Sequence, residues 1–183
     1  MDAVCGGLYH GVHPPMIQDD VPVLTVPAYR GDLRRLPHAR RRAFLRHLRR
    51  IIREAREPAP SLPPAQPEPA IGLRQITCAA CGGHCCSRGA EHAYLADISI
   101  RRVAASHPGL RARAIARLYR DHLPEVSFAG SCVFHTALGC ALPRALRADL
   151  CNSFYCNPLR RFIRKHGDAA PAVQRIVSRK GAD

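Results

Sequence analysis

The chain has 183 residues, with 28 lysines and arginines against 14 aspartates and glutamates and a formal net charge of +14. An apolar fraction of 46% argues against wholesale disorder, and the lack of any run of about 18 apolar residues excludes an ordinary membrane-spanning helix. No basic segment followed by an apolar run opens the sequence, which predicts a cytoplasmic protein. In a reducing compartment, the nine cysteines indicate metal ligands before disulfides.

The N-terminal third is poor in cysteine and divides into three segments. Residues 1–37 are rich in glycine and proline and predict an extended or poorly ordered arm, with one short strand at Val21–Val26. Residues 38–57, which follow Pro37, predict a basic amphipathic helix. Residues 58–70 are rich in proline and predict a semi-rigid linker. The apolar face of the predicted helix comprises Phe44, Leu48, Ile51, Ile52 and Ala55.

Residues 71–168 predict a cysteine-rich metal-binding domain. Apolar spacing indicates helices at 97–106 and 110–122, and a further helix that begins at Pro158. The last segment, 169–183, predicts a helix or a tail.

Strand patterns are few, so the predicted fold class is mainly α. The sequence indicates a small, irregular, cysteine-rich domain clamped by metal, preceded by the extended arm and the basic helix. Near the C-terminus, Val173–Ser178 predicts one or two further helical turns.

Eight of the nine cysteines fall into two clusters after the linker. A Cys-x2-Cys step lets both sulfurs face one ion, and Gly82-Gly83 behind it supplies the positive φ that such a knuckle needs. Ligands from distant parts of the sequence allow a metal to clamp a small domain. Cys5, in the arm, is predicted to be a free thiol. The predicted metal ligands are Cys78, Cys81, Cys85 and Cys86 in the first cluster and Cys132, Cys140, Cys151 and Cys156 in the second.

The adjacent Cys85 and Cys86 leave the ligand arrangement open. Neighbouring side chains diverge, so the pair serves two different metals, or one thiol ligates and the other lies behind it, or a multi-iron cluster accepts both. Two four-cysteine zinc sites and one iron–sulfur cluster with extra thiols both fit, because thiolates bind either metal. A disulfide framework is the alternative, and the predicted cytoplasmic location disfavours it.

The flanking residues of the cysteines are as distinctive as their order. The four segments that carry them are CAACGGHCC at 78–86, GSCVF at 130–134, GCALP at 139–143 and RADLCNSFYC at 147–156. Over roughly residues 76–160 these segments resemble the CxxCxxCC (YkgJ-like) family, which is described as zinc- or iron-chelating. The chain departs from the family pattern by three rather than two residues before the cysteine pair, and by Ala148 in place of the proline of the closing motif.

The resemblance implies metal binding by all eight clustered cysteines, with an iron–sulfur cluster favoured over zinc. A related cysteine motif occurs in flagellin lysine methylases, which are iron–sulfur proteins. The resemblance therefore also raises an enzyme related to those methylases as the least favoured hypothesis, because the chain is much shorter and has no cofactor fingerprint beyond the shared cysteines.

Other polar residues near the cysteines have alternative interpretations. His84 or His135 could complete a Cys3His zinc site, although the simpler expectation for each is a hydrogen-bonded or exposed histidine. Asp97 is predicted to cap a helix at Ile98, and Asp149 is predicted to be a solvated turn residue or the partner of an arginine two residues away. The arginines predicted to neutralise thiolate charge, or simply to be solvated, are Arg144 and Arg147.

The basic helix at 38–57 has three interpretations. Its charged face can be solvated while its apolar side packs on the cysteine domain, or it can contact an acidic protein or a nucleic acid, or it can dock on a membrane surface. The second interpretation makes the chain a zinc-stabilised interaction module, which is the alternative to a metal-binding protein. No recognised nucleic-acid module is present, since the cysteine spacing is not that of a zinc finger.

Overall fold

The chain folds mainly into α-helices, as predicted, with three short strand pairs that were not predicted, in a computed structural model that describes residues 22–56, 72–167 and 175–180. None of the helices in these ranges is long and apolar enough to cross a membrane. Cys5, the predicted linker at 58–70 and most of the predicted arm lie outside the described residues.

Within the described residues, helices and strands follow one another in short runs and do not alternate. Two 3₁₀ turns, His84–Arg88 and Arg144–Leu146, connect some of them. In chain order the elements are β1 (Val23–Ala28), β2 (Leu33–Arg35), α1 (His38–Glu54), α2 (Leu73–Cys81), α3 (Asp97–Ser106), α4 (Ala112–Asp121), β3 (Val126–Phe128), β4 (His135–Thr136), β5 (Gly139–Cys140), α5 (Asp149–Ser153), α6 (Asn157–His166) and β6 (Arg175–Lys180).

The short strands pair across long stretches of sequence. Strand β1 pairs in parallel with β6, with Leu24 opposite Ile176, whereas β2 pairs antiparallel with β3 and β4 with β5. The prediction of helical turns at Val173–Ser178 is therefore wrong, because the described part of that segment belongs to a strand. Ile176 and Val177 are β-branched and suit a pleated strand, and pairing with β1 decides their conformation.

Helix α1 forms where the sequence predicted it and buries its apolar face. Pro37 stands just before the first helical residue with φ −62° and ψ 143°, a conformation that its ring favours. The apolar side chains that are at most 8% exposed are Phe44, Leu48, Ile51 and Ile52. They pack with α3 and α4, and the rings of Phe44 and Phe134 meet edge to face at 5.0 Å. Helix α1 is thus part of a large core.

A second, smaller core lies between β1, α2 and α6. Its buried members are Leu24, Val26, Leu73, Leu159 and Phe162. Cys81 and Cys156 pack against this small core, whereas Cys132 belongs to the large one. The cysteines therefore lie on both cores.

Two aspartates have roles other than those predicted. Asp97 is the first residue of α3, one position past the cap, and its carboxylate pairs with Arg101 at 3.2 Å. Asp149 begins α5 and pairs with Arg102 at 2.8 Å, although Arg147 is closer in sequence. Asp149 pairs with Arg102 because α3 and the segment before α5 pack together, and sequence spacing does not reveal that contact.

Candidate metal centre

The Cys-x2-Cys step forms a knuckle at the end of α2. Cys78 and Cys81 lie in its last turn, and Gly82 and Gly83 follow with φ of +66° and +83°, which confirms the predicted positive φ. The backbone N–H of His84 then donates to Sγ of Cys81 at 3.4 Å. An N–H donor on sulfur stabilises the thiolate form, which is the form that binds metal.

Backbone hydrogen bonds join the first cysteine segment to the second. The N–H of Cys132 donates to the carbonyl of Cys86 at 3.0 Å, and the N–H of Val133 donates to the carbonyl of Ala90 at 3.0 Å. The two donor residues, Cys132 and Val133, are at most 7% exposed, so water has little access to their N–H groups. Cys86 and Cys132 are held beside each other although 45 residues separate them.

The remaining two segments are positioned by a hairpin and by a helix start. Strands β4 and β5 place Cys140 opposite His135, which returns the chain toward Cys132. Cys151 lies in α5, and Cys156 stands immediately before α6, whose packing on the small core fixes it.

His135 braces the knuckle and is not free to bind metal. Its ring is 1% exposed, and Nε2–H donates to the carbonyl of Gly82 at 2.8 Å, because a carbonyl can only accept. Nδ1 is then the acceptor in the neutral ring and receives the hydroxyl hydrogen of Ser131 at 2.8 Å. Burial lowers the pKa of His135, which keeps the ring in this neutral form. His84, the other candidate ligand, has an exposed side chain.

The space behind Gly83 is filled by the same ring. A Cβ added at Gly83 would stand 2.6 Å from Nε2 of His135. We expect Gly83→Ala to lower the free energy of unfolding by about 2–4 kcal/mol, the sum of left-handed backbone strain and the loss of the bond between His135 and Gly82. Urea unfolding measures this loss. In the control Gly130→Ala, φ is +70° and no atom lies within 4 Å, so only the strain of about 1–2 kcal/mol is expected. Equal losses in the two variants would contradict the brace.

The thiols influence one another electrostatically in two sets. Burial raises the pKa of Cys78, and the neighbouring thiols of Cys85, Cys81 and Cys156 raise it further. The pKa of Cys81 is raised by burial and by the thiols of Cys85 and Cys156 in the same way. We call these four residues the first set: Cys78, Cys81, Cys85 and Cys156.

The second set surrounds Cys132. Burial raises the pKa of Cys132 to about 12, and the thiols of Cys140 and Cys151 contribute. Burial likewise raises the pKa of Cys151 to about 11, and the thiols of Cys140 and then of Cys85 raise it further. The thiols of Cys132 and Cys140 also act on Cys86. The second set is therefore Cys86, Cys132, Cys140 and Cys151.

Cys85 and Cys86 connect the two sets. The interaction between their side chains lowers the pKa of Cys85 to about 7 and raises that of Cys86 above its usual value. Both residues lie in a 3₁₀ turn, and the hydroxyl of Tyr94 anchors this turn through the carbonyl of Cys85 at 2.9 Å.

Three arginines offset the thiolate charge. Arg147 lowers the pKa of Cys151, as the sequence suggested, whereas Arg74 acts on Cys78 and Arg40 on Cys132. Arg74 could have been found from its position four residues before Cys78 on one helix. Nothing in the sequence indicates Arg40, because it reaches the site from α1 through a bond to the carbonyl of Ser131.

All eight clustered cysteines are free thiols. Within the described ranges, no three histidine, cysteine, aspartate or glutamate side chains are gathered closely enough to hold one metal ion. The thiols are thus close enough to influence one another's pKa but are not arranged as a ligand shell.

The chain matches no protein-family model, no curated protein and no solved structure. The resemblance to the CxxCxxCC family stays a prediction.

Proposed function

We propose that the chain is a metal-binding protein that uses its eight clustered cysteines as thiolates, four for each of two sites. The first set, Cys78, Cys81, Cys85 and Cys156, holds one centre, and the second set, Cys86, Cys132, Cys140 and Cys151, holds the other. The observation that carries the proposal is that thiols of the first set raise the pKa values of Cys78 and Cys81, while thiols of the second set raise those of Cys86, Cys132 and Cys151. The backbone hydrogen bond from Cys132 to Cys86 holds two members of the second set beside each other.

The proposal follows from the sign of that influence. Each thiolate that forms in a set makes the next one harder to form, because like charges repel in a partly buried place. A bound cation reverses this effect and favours deprotonation of every thiol around it. Closing the sulfurs around an ion needs side-chain rotation, which is available because seven of the eight cysteines are exposed or only half-buried.

The two sites would act as a clamp between the two cores. Cys81 and Cys156 pack against the small core, while Cys86, Cys132 and Cys140 pack in or on the large one. The Cys85–Cys86 pair would then tie one metal centre to the other through a single peptide bond. A structural zinc contributes roughly 10–16 kcal/mol of apparent binding free energy, which is as large as the whole stability of an ordinary domain.

The metal is zinc or the iron of an iron–sulfur cluster, since four thiolates suit both. The family resemblance favours iron–sulfur. Cys78, Cys85 and Cys151 are exposed, so either centre would lie near the surface, where a redox partner or a delivery protein could reach it.

The test is the metal and acid-labile sulfide content of the full chain, purified without oxygen, together with its visible absorption spectrum. Iron with matching sulfide and a broad visible band would identify clusters. About two zinc ions per chain with no sulfide and no colour would identify two structural zinc sites. A chain that binds neither metal after reduction and reconstitution with each would overturn the proposal.

A further inference from the structure

Helices α1 and α4 each expose a stripe of arginines. Along α1 the stripe follows intervals of four, three and four residues, which keeps its members on one side of the helix. Along α4 two arginines are four residues apart. We call these residues the arginine face: Arg42, Arg46, Arg49 and Arg53 on α1, with Arg113 and Arg117 on α4.

The two stripes belong to one surface because the helices are antiparallel neighbours. At the start of α1, the guanidinium of Arg41 donates to the carbonyl of Pro124, just past the end of α4, at 3.3 Å. At the other end, Ile52 and Ala55 of α1 line one cavity together with Ala112 and Ile115 of α4. Helices packed in this way have axes about 8–10 Å apart.

The positive charge of this face is not neutralised by nearby acids. None of its six arginines makes a side-chain hydrogen bond or ion pair within the described part of the chain. The acidic residues at hand are committed elsewhere, since Glu54 pairs with Arg50 and Asp121 pairs with Arg120. Like charges one helical turn apart are mutually destabilising, so the fold itself gains nothing from this arrangement.

The chemistry of the face restricts its partner. A membrane surface would need an apolar side to insert, and that side of α1 is already buried in the large core. A protein partner would need apolar or aromatic anchors, and every exposed large hydrophobic side chain of the described residues lies outside α1 and α4. Rows of guanidinium groups match phosphates, which they bind in bidentate fashion.

We propose that the arginine face binds the phosphate backbone of a nucleic acid, without reading its sequence. Arg42 to Arg53 span about 16 Å at 1.5 Å per residue, a length that faces about five phosphates of one strand. This interaction is independent of the proposed metal sites, because none of the six arginines is among the residues that influence the thiols.

The test is fluorescence anisotropy of the full chain with a labelled duplex of about 20 base pairs, at several salt concentrations between about 50 and 200 mM. The logarithm of the binding constant should fall linearly with the logarithm of salt concentration, with a slope of about −4 to −5 for four to six phosphate contacts. The variant that carries Arg46→Gln, Arg49→Gln, Arg113→Gln and Arg117→Gln should bind about 100-fold more weakly or worse, with a clearly shallower slope.

A charge-matched control lies on α6. The variant with Arg160→Gln, Arg161→Gln, Arg164→Gln and Lys165→Gln loses the same net charge from exposed side chains on the small core, and it should lose less than about fivefold in affinity. Equal weakening of the two variants would show attraction to net charge alone and would overturn the proposal. So would full competition for the duplex by vesicles of phosphatidylserine and phosphatidylcholine, or the absence of binding at about 50 mM salt.

Discussion

Replacing Leu48 with alanine is expected to lower the free energy of unfolding by about 3–5 kcal/mol, measured by urea or thermal unfolding of the full chain. Leu48 is 1% exposed and lies in the middle of α1, where Phe44 and Ile52 flank it on the same face. The change removes several buried methyl and methylene groups and leaves a cavity that the surrounding large core can fill only in part.

Leu138 provides the matched control because it has the same side chain at 99% exposure. Leu138→Ala should change the free energy of unfolding by no more than about 0.5 kcal/mol. A small loss for Leu48→Ala, similar to that of the control, would mean that α1 is a detachable arm and does not share the core of the cysteine-rich part.

Helix α1 also illustrates what the sequence could and could not predict. Its apolar period predicted both the helix and its buried face, because helical geometry alone brings residues three and four apart to one side. The partner of that face was not predictable. Phe134 meets Phe44 across 90 residues of sequence, and only the packing of the whole core decides such a contact.

The grouping of the cysteines in the folded chain was likewise not predictable from their order in the sequence. Sequence order groups Cys86 with the first cluster and Cys156 with the second, whereas electrostatic influence in the folded chain exchanges the two. The exchange has two local causes. Cys86 is bonded through its carbonyl to Cys132, and Cys156 stands at the start of α6, which packs on the same small core as Cys81.

The sequence allowed His135 as a metal ligand, whereas in the structure its ring supports the Cys-x2-Cys knuckle through a hydrogen bond to the carbonyl of Gly82. Its position three residues after Cys132 matches a ligand spacing as well as any, so spacing could not decide its role. The burial of its ring and the two partners of its nitrogens decide it. Gly82 and Gly83, by contrast, were predictable, because a left-handed backbone after a Cys-x2-Cys step depends on local sterics alone.

Because Cys156 belongs with the first set, Cys156→Ser is expected to affect one of the two proposed metal sites and to leave the other intact. This variant lacks one thiolate of the first set only, so a chain with two metal sites should keep about half of its metal. The fold around the small core should loosen at the same time, because loss of a structural zinc removes a term of roughly 10–16 kcal/mol. Metal content and limited proteolysis near β1 and α6 measure the two effects.

Two further variants distinguish two separate metal sites from one cluster that uses both sets of cysteines. Cys140→Ser should also retain about half of the metal, this time in the first set, and should leave the small core intact. Cys5→Ser, which removes a cysteine outside both sets, should retain all of it. If Cys156→Ser and Cys140→Ser each abolish all metal binding, one cluster draws on both sets and the two-site arrangement is wrong. Full retention in either variant would instead remove that cysteine from the ligands, because a thiolate that holds zinc or iron cannot be replaced by a serine hydroxyl without weakening the site.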